Sequence, residues 1–296
     1  MPALESRSRS KLQILRSEKL EKLPWLLHGF STRAGGVSEV YGGRALNLGY
    51  TEEDQRTRVH RNREAFLQAV GAVDQGGRAW PLISLHQIHS CLIHEVTAGP
   101  REPLKGDGLV SACRGVLLAI RTADCLPILL ADRKRRAIGA FHAGWRGSLA
   151  RIVEKGVGEM RRHYGSRPQD LVAAIGPGIH RCCYEVGDEI REQFASQFAY
   201  AGELFEEVSD SDAVHRKYPL LFMNQRAPGH GEPHRSLHLD LVAANRRQLL
   251  EAGVPEKNVT VSELCTACRT DLLFSYRAEK GVTGRMMAVV GIRADL

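Results

Sequence analysis

One cysteine and two histidines stand where buried strands should deliver side chains to a surface. Cys125 lies in Thr122-Ala-Asp-Cys-Leu-Pro127, after the apolar run 115–120. His142 lies in Ala140-Phe-His-Ala-Gly-Trp-Arg-Gly147, after the run 137–141, and His89 closes Gln87-Ile-His89. One thiolate and two imidazoles leave a fourth position open for water or substrate, as a catalytic zinc requires. Ligation and nucleophilic attack both need Cys125 as thiolate, so a metal or a positive neighbour must lower its pKa. The competing role for Cys125 is a small inert core thiol. For His142 it is an imidazole bonded to a backbone carbonyl, yet Ala143 and Gly144 clear more space than that role needs. In a strand, His86 and His89 would point to opposite faces; His89 is assigned to the site and His86 to structure.

Arginines form the second candidate group. Arg33 sits in Ser31-Thr-Arg-Ala-Gly-Gly36, Arg146 in Gly144-Trp-Arg-Gly147 and Arg285 in Thr283-Gly-Arg285, all turn-like settings; Arg277 ends Phe274-Ser-Tyr-Arg277. Guanidinium forks suit bidentate capture of phosphate or carboxylate. Arg146, at the start of an expected helix whose N–H groups also attract anions, is the leading phosphate candidate. The remaining cysteine pairs, Cys182/Cys183 and Cys265/Cys268, are read as structural thiols, because adjacent cysteines do not chelate with the C-x-x-C geometry of zinc ribbons.

The elements that must position these groups are legible in outline. Strand-like runs fall at 82–85, 88–96, 108–111, 116–120, 127–131, 137–141, 171–175, 259–261 and 286–292. Helical periodicity covers 51–70, 146–163, 187–198 and 240–252. Residues 1–24 read as a basic arm, and 25–296 as a single mixed domain. The polar, Pro/Gly-punctuated stretch 209–236 reads as a surface excursion.

The chain has 296 residues, 43% hydrophobic and 25% charged, which allows a sizeable core. Its net charge of +7 is read first as solvated helix faces and turns, with attraction of phosphate-bearing ligands as the alternative. Aromatics are 6% and do not interleave with basic runs, which speaks against nucleic-acid binding. No apolar run approaches the roughly 18 residues of a membrane span, and no secretory signal is read at the N-terminus. Seven irregularly spaced cysteines fit a reducing cytoplasm better than a disulfide framework. A monomer or homodimer is expected.

An ordered series of motifs runs through the chain. It comprises Phe30-Ser-Thr-Arg-x-Gly-Gly-Val-Ser38, Leu46-Asn-Leu-Gly49, Gln87-x-His89, Gly106-Asp-x-Leu-Val110, Thr122-Ala-Asp-Cys-x-Pro127 and His142-Ala-Gly-Trp-Arg-Gly147. It continues with Ile175-Gly-Pro177, Tyr184-Glu-Val-Gly187, Leu239-Asp-Leu-x-x-x-Asn245-Arg, Phe274-Ser-Tyr-Arg277 and Thr283-Gly-Arg285. Together they resemble the YfiH/laccase-domain family from about residue 25 to 292.

The resemblance implies one α+β domain with two mixed β-sheets sandwiched between helices, four layers in α/β/β/α order. It implies zinc on His89, Cys125 and His142, with copper as the alternative metal. It also implies purine nucleosides and phosphate as substrates, methylthioadenosine among them, with adenosine deamination as a side reaction. Asn47 then joins Arg33, Arg146, Arg277 and Arg285 as a binding candidate. Asp124, taken with Cys125 as catalytic, and Asp107 are the candidate proton shuttles.

Other family members are described as peptidoglycan editing factors and as polyphenol oxidases. A cysteine hydrolase would use Cys125 as nucleophile and His142 as base on a muropeptide amide. A multicopper oxidase needs many more histidines in paired motifs. A zinc-stabilised interaction protein would not need an open coordination position. The chain departs from the family pattern in its N-terminal arm and in an insertion at 217–235, which is expected to cover or reshape the pocket.

Overall fold

Unbroken apolar runs, with few alternating polar residues, mark strands that are covered on both faces. In the computed structural model, which describes residues 12–97, 104–209 and 235–294, these runs build the centre of the molecule. The chain begins with β1 (Ile14–Leu15), α1 (Glu18–Glu21), β2 (Leu26–Ser31), β3 (Ala34–Ser38) and α2 (Arg56–Val70). Six strands follow: β4 (Leu82–Ser84), β5 (Ile93–Val96), β6 (Gly108–Ser111), β7 (Leu117–Thr122), β8 (Leu126–Asp132) and β9 (Ile138–Ala143). Then come α3 (Trp145–Leu149), α4 (Ile152–Tyr164), β10 (Leu171–Ile175), β11 (Glu185–Val186) and α5 (Asp188–Gln197). The chain closes with β12 (Phe205–Ser209), β13 (Arg235–Leu239), α6 (Leu241–Glu251), β14 (Val259–Val261) and β15 (Met286–Ile292).

Two mixed sheets carry the fold. One has the order β1-β2-β15-β7-β4 and the other β14-β10-β8-β9-β6-β5. Their facing surfaces share one core, in which Phe30, Ile120 and Val290 of the first sheet meet Leu129, Ala140 and Val172 of the second. The outer face of the first sheet is covered by α2 through Phe66, Leu67 and Val70. That of the second is covered by α4, α5 and α6 through Val157, Phe194 and Leu249. The result is the α/β/β/α order expected. No helix among the described residues is long and apolar enough to cross a membrane.

Several local expectations change. Residues 12–24 are stitched into the fold: Ile14 and Leu15 pair with Ser31 and Phe30, and Leu20 is fully buried. The expected strand 88–96 is a strand only from Ile93, so His86 and His89 both lie in a loop. The expected helix 146–163 is two helices, broken where Arg151 takes a left-handed φ of 60°. Ser209 pairs with Arg235, so the chain leaves and re-enters the small β11-β13-β12 sheet at adjacent points. Positions 217–234 of the insertion lie outside the described residues.

Candidate active site

The β8–β9 hairpin sets the centre. Its register pairs Leu126 with Ala143 and Pro127 with His142, which brings Cys125 opposite Gly144. A Cβ on Gly144 would lie 2.9 Å from Cys125 Sγ and 3.3 Å from His89 Cδ2. Glycine there keeps open the space into which thiol and imidazole converge. The donor atoms of His89, Cys125 and His142 all lie within 4.8 Å of one another. The two imidazoles meet edge to face with centroids 4.9 Å apart.

Asp107, fully buried at the start of β6, organises both histidines. Its carboxylate accepts the His142 Nδ1–H at 2.8 Å, so the other ring nitrogen is free to face Cys125. The same carboxylate accepts the backbone N–H groups of Ile88, His89 and Ser90 at 3.2, 3.0 and 2.6 Å, and the Ser90 hydroxyl at 2.7 Å. Three consecutive N–H groups on one carboxylate hold the loop in which His89 adopts φ 58°, a region histidine tolerates better than most residues. Gln87 ties the start of this loop to β7, its side chain donating to the Arg121 carbonyl at 2.7 Å and accepting the Arg121 N–H at 2.9 Å.

Charge follows from this geometry. Burial pushes the Asp107 carboxyl up, but hydrogen bonds from His142 and Ser90 outweigh it and bring the group to about 2. Burial likewise opposes the Cys125 thiolate, yet the charge and hydrogen bonds of His142 and His89 draw the thiol down to about 6. His142 is raised to about 9, because Cys125 and Asp107 stabilise its imidazolium more than burial penalises it. Without metal, the centre is a thiolate–imidazolium pair anchored on a carboxylate.

Asp124 lies beside Cys125 with φ 95° and lines the same cleft, but its carboxylate is engaged by a neighbouring loop. Its carboxylate accepts the Thr266 and Ser275 hydroxyls at 2.6 and 2.7 Å and the Arg277 N–H at 2.7 Å. Those donors come from the loop between β14 and β15, so Asp124 ties that loop to the thiol's turn.

A cleft of ≈ 880 Å³ opens over the donor set between the ends of the two sheets. The arginines divide around it. Arg146 lines it, stacked on Trp145 with its guanidinium carbon 4.3 Å from the ring centroid. Arg285 lines it with Nη1 on the Thr283 and Gly284 carbonyls. Arg277 lines the rim and donates to the Glu185 carbonyl at 2.9 Å. Arg33 is elsewhere: it binds the Thr270 and Tyr41 carbonyls, pairs with Glu279 at 3.1 Å and stacks on Phe274. Asn47 is fully buried and holds the backbone N–H groups of Gly49 and Arg285 at 3.0 and 2.9 Å. Arg33 and Asn47 brace the loops around the cleft without lining it.

Arg121 joins the cleft from the apolar strand β7. Burial and the nearby Arg285 charge lower its pKa, and its Nε is buried without a hydrogen-bond partner. A charged residue inside an otherwise apolar strand was the signal for it; here the side chain is half-buried, with Nη2 donating to the Leu85 carbonyl at 2.9 Å. The structure also changes the reading of the other thiols: Cys182, Cys183, Cys265 and Cys268 come within 4.8 Å of one another.

Residues 27–293 match the family model described as "Multi-copper polyphenol oxidoreductase laccase". The chain is 41% identical to a Deinococcus radiodurans protein named purine nucleoside phosphorylase, over 90% of this chain and 88% of that one. It is 32% identical to adenosine deaminase RL5 from an unknown prokaryotic organism, over 88% and 93% of the two chains. The crystal structure of Bacillus licheniformis hypothetical protein YfiH superposes with a TM-score of 0.77 at 30% identity, covering 97% of this chain and 98% of that one. Ordered motifs, four-layer fold and whole-chain similarity agree: the protein is a member of the laccase-domain family to which YfiH belongs, a family with members named purine nucleoside phosphorylase.

Proposed function

We propose that the cleft catalyses zinc-dependent phosphorolysis of purine nucleosides (adenosine, inosine, guanosine and methylthioadenosine), with adenosine deamination as a second reaction of the same site. The observation that carries this reading is a Cys/His/His donor set facing, in one cleft, arginines with no carboxylate partner. Among the described residues no ion pair engages Arg121, Arg146 or Arg285. The relatives named purine nucleoside phosphorylase and adenosine deaminase support the two reaction classes.

The donor set fits zinc. Asp107 holds the His142 Nδ1–H, which orients the ring and leaves its second nitrogen as a donor. Cys125 is already biased toward thiolate, and Gly144 leaves space beside it. Zinc held by His89, Cys125 and His142 would supply Lewis acidity toward an oxygen at its open position.

The chain's own residues supply binding and orientation. Arg121, Arg285 and Arg146, which line the same cleft, neutralise a phosphate and aim one of its oxygens at the ribose C1′. That oxygen bonds to C1′ as the C1′–N9 bond breaks, and the bonding pair leaves with the purine. Tyr50 and Tyr276, both exposed in the cleft, offer ring faces for the base. Deamination uses the same purine seat with water in place of phosphate. The water oxygen bonds to C6, and ammonia departs with a proton from that water.

A second reading rests on the order Cys125, His142, Asp107: nucleophile, base and orienting carboxylate, the plan of a cysteine hydrolase, here for muropeptide amides. Two histidines and a cysteine also suit copper. Multicopper oxidation needs further histidine clusters, however, and the described residues contain one.

Chelation of the metal separates these readings. Phosphorolysis is expected to stop on stripping and to return with zinc. Full nucleoside turnover by the stripped protein would overturn the proposal. Muropeptide cleavage by the stripped protein, halted by alkylating Cys125, would establish the hydrolase.

A further inference from the structure

Two loops on the far side of the cleft wall each bring two cysteines to one point. Cys182 and Cys183 follow β10 in the turn that leads to Tyr184. Cys265 and Cys268 follow β14 in Cys265-Thr-Ala-Cys268. The loops are joined by backbone: Gly178 bridges Cys265, and the Thr266 N–H donates to the Gly178 carbonyl at 3.0 Å.

We propose that Cys182, Cys183, Cys265 and Cys268 form a second metal site, a four-thiolate zinc centre separate from the Cys/His/His set. All four sulfurs lie within 4.8 Å of one another, with Cys268 Sγ 3.5 Å from Cys182 Sγ and 3.3 Å from Cys183 Sγ. A zinc–sulfur bond of about 2.3 Å in a tetrahedron sets sulfurs about 3.8 Å apart, so little movement closes the cluster on an ion. All four are free cysteines, so every sulfur is available.

The Cys265-x-x-Cys268 half has the hydrogen bonding of a metal-binding knuckle. Cys265 Sγ accepts the His180 N–H at 3.4 Å and the backbone N–H of Cys268. Backbone N–H groups aimed at a sulfur stabilise charge on it, which an inert core thiol does not need. The adjacent pair Cys182-Cys183 need not chelate alone, because the second loop supplies the other two ligands. Cys182 and Cys268 are exposed and Cys265 is buried, so the ion would sit at the surface with all four positions filled, the closed pattern of a structural site.

Such a centre would fix the two loops that form one wall of the cleft. The first continues into Tyr184, and the second carries Thr266, Ser275 and Arg277 onto Asp124. The second site is independent of the substrate taken by the cleft; only a total of two zinc ions per chain rests on the proposed zinc in the cleft.

Metal content of the zinc-replete, reduced protein tests it. About two zinc ions per chain are expected, falling to one in Cys125→Ala and to one in Cys268→Ser. Cobalt-loaded Cys125→Ala should show the intense visible bands of tetrahedral tetrathiolate cobalt, and Cys182→Ser serves if Cys268→Ser does not fold. A wild-type protein that binds one zinc, lost entirely in Cys125→Ala, would overturn the proposal. So would a disulfide between Cys268 and Cys182 or Cys183 with no second metal.

Discussion

Asp107, whose side chain neither lines the cleft nor counts among the metal donors, controls the centre more than any other residue. One buried carboxylate orients His142 and holds the loop of His89, so two of the three candidate donors, from distant segments, depend on it. Asp124 performs the analogous task for the arginine-bearing loop. Asp124→Asn tolerates the left-handed backbone and keeps one acceptor. Steady-state kinetics should therefore show a loss of about tenfold or less, the worth of one weakened hydrogen bond. A loss of roughly 10²–10⁴-fold would instead identify Asp124 as a proton-transfer group. Alkylation tests the charge of the metal-free centre. Cys125 is drawn from an ordinary 9.0 down to about 6, so thiolate persists above that pH. The iodoacetamide rate at Cys125 should climb through pH 6, and a midpoint near 9 would mean that the thiolate–imidazolium pair does not form. His89 arrives on a loop, whereas the convergence of Cys125 and His142 was legible in the sequence because residue type and strand-end position agreed. Arg33 and Asn47 were not, because a turn glycine marks a tight backbone equally well whether the nearby side chain binds a ligand or a carbonyl.

At the scale of elements, register does the positioning. The β8–β9 hairpin sets Cys125 against Gly144, and no other residue type leaves room for the thiol. In Gly144→Ala the new Cβ, 2.9 Å from Cys125 Sγ, is expected to cut zinc affinity and turnover by tenfold or more, since mispositioning by an ångström costs about 10²-fold. Circular dichroism should remain native; unchanged metal content and kinetics would contradict this role for Gly144. The central strands were readable as apolar runs because both faces are covered. The break at Arg151 was not, since neither glycine nor proline marks it. Nor was the loop at 88–92, where hydrophobic residues suggested a strand but Asp107 takes the backbone N–H groups that a neighbouring strand would have used. Residues 12–24 resemble a solvated arm by charge alone, yet Leu20 is fully buried in the core between the sheets. Leu20→Ala should cost about 2–5 kcal/mol in chemical denaturation; a change below about 0.5 kcal/mol, as for a surface position, would show that this segment does not pack in solution.

The whole molecule places its chemistry at the seam between two sheets. β7 belongs to one sheet and β8 and β9 to the other, so the turn carrying Asp124 and Cys125 crosses from sheet to sheet. Two of the three candidate donors, Cys125 and His142, therefore come from the β8–β9 hairpin at the middle of one sheet, and the arginines Arg121 and Arg285 from strand ends of the other. The fold class was legible because motifs and apolar runs span the chain in order. The assembly of the four remaining cysteines was not, because it joins loops more than 80 residues apart and no local spacing records it. On the proposed reading, a net charge of +7 suits a site that gathers an anion before reacting, and cleft arginines that have no ion-pair partner among the described residues concentrate that charge there. The most direct measurement is product stoichiometry with inosine and zinc-loaded protein, followed with and without phosphate. The account predicts one ribose 1-phosphate for each hypoxanthine released, no release without phosphate, and loss of both products in Cys125→Ala. Base released at the same rate without phosphate, as free ribose, or no turnover from a fully zinc-loaded site, would contradict it.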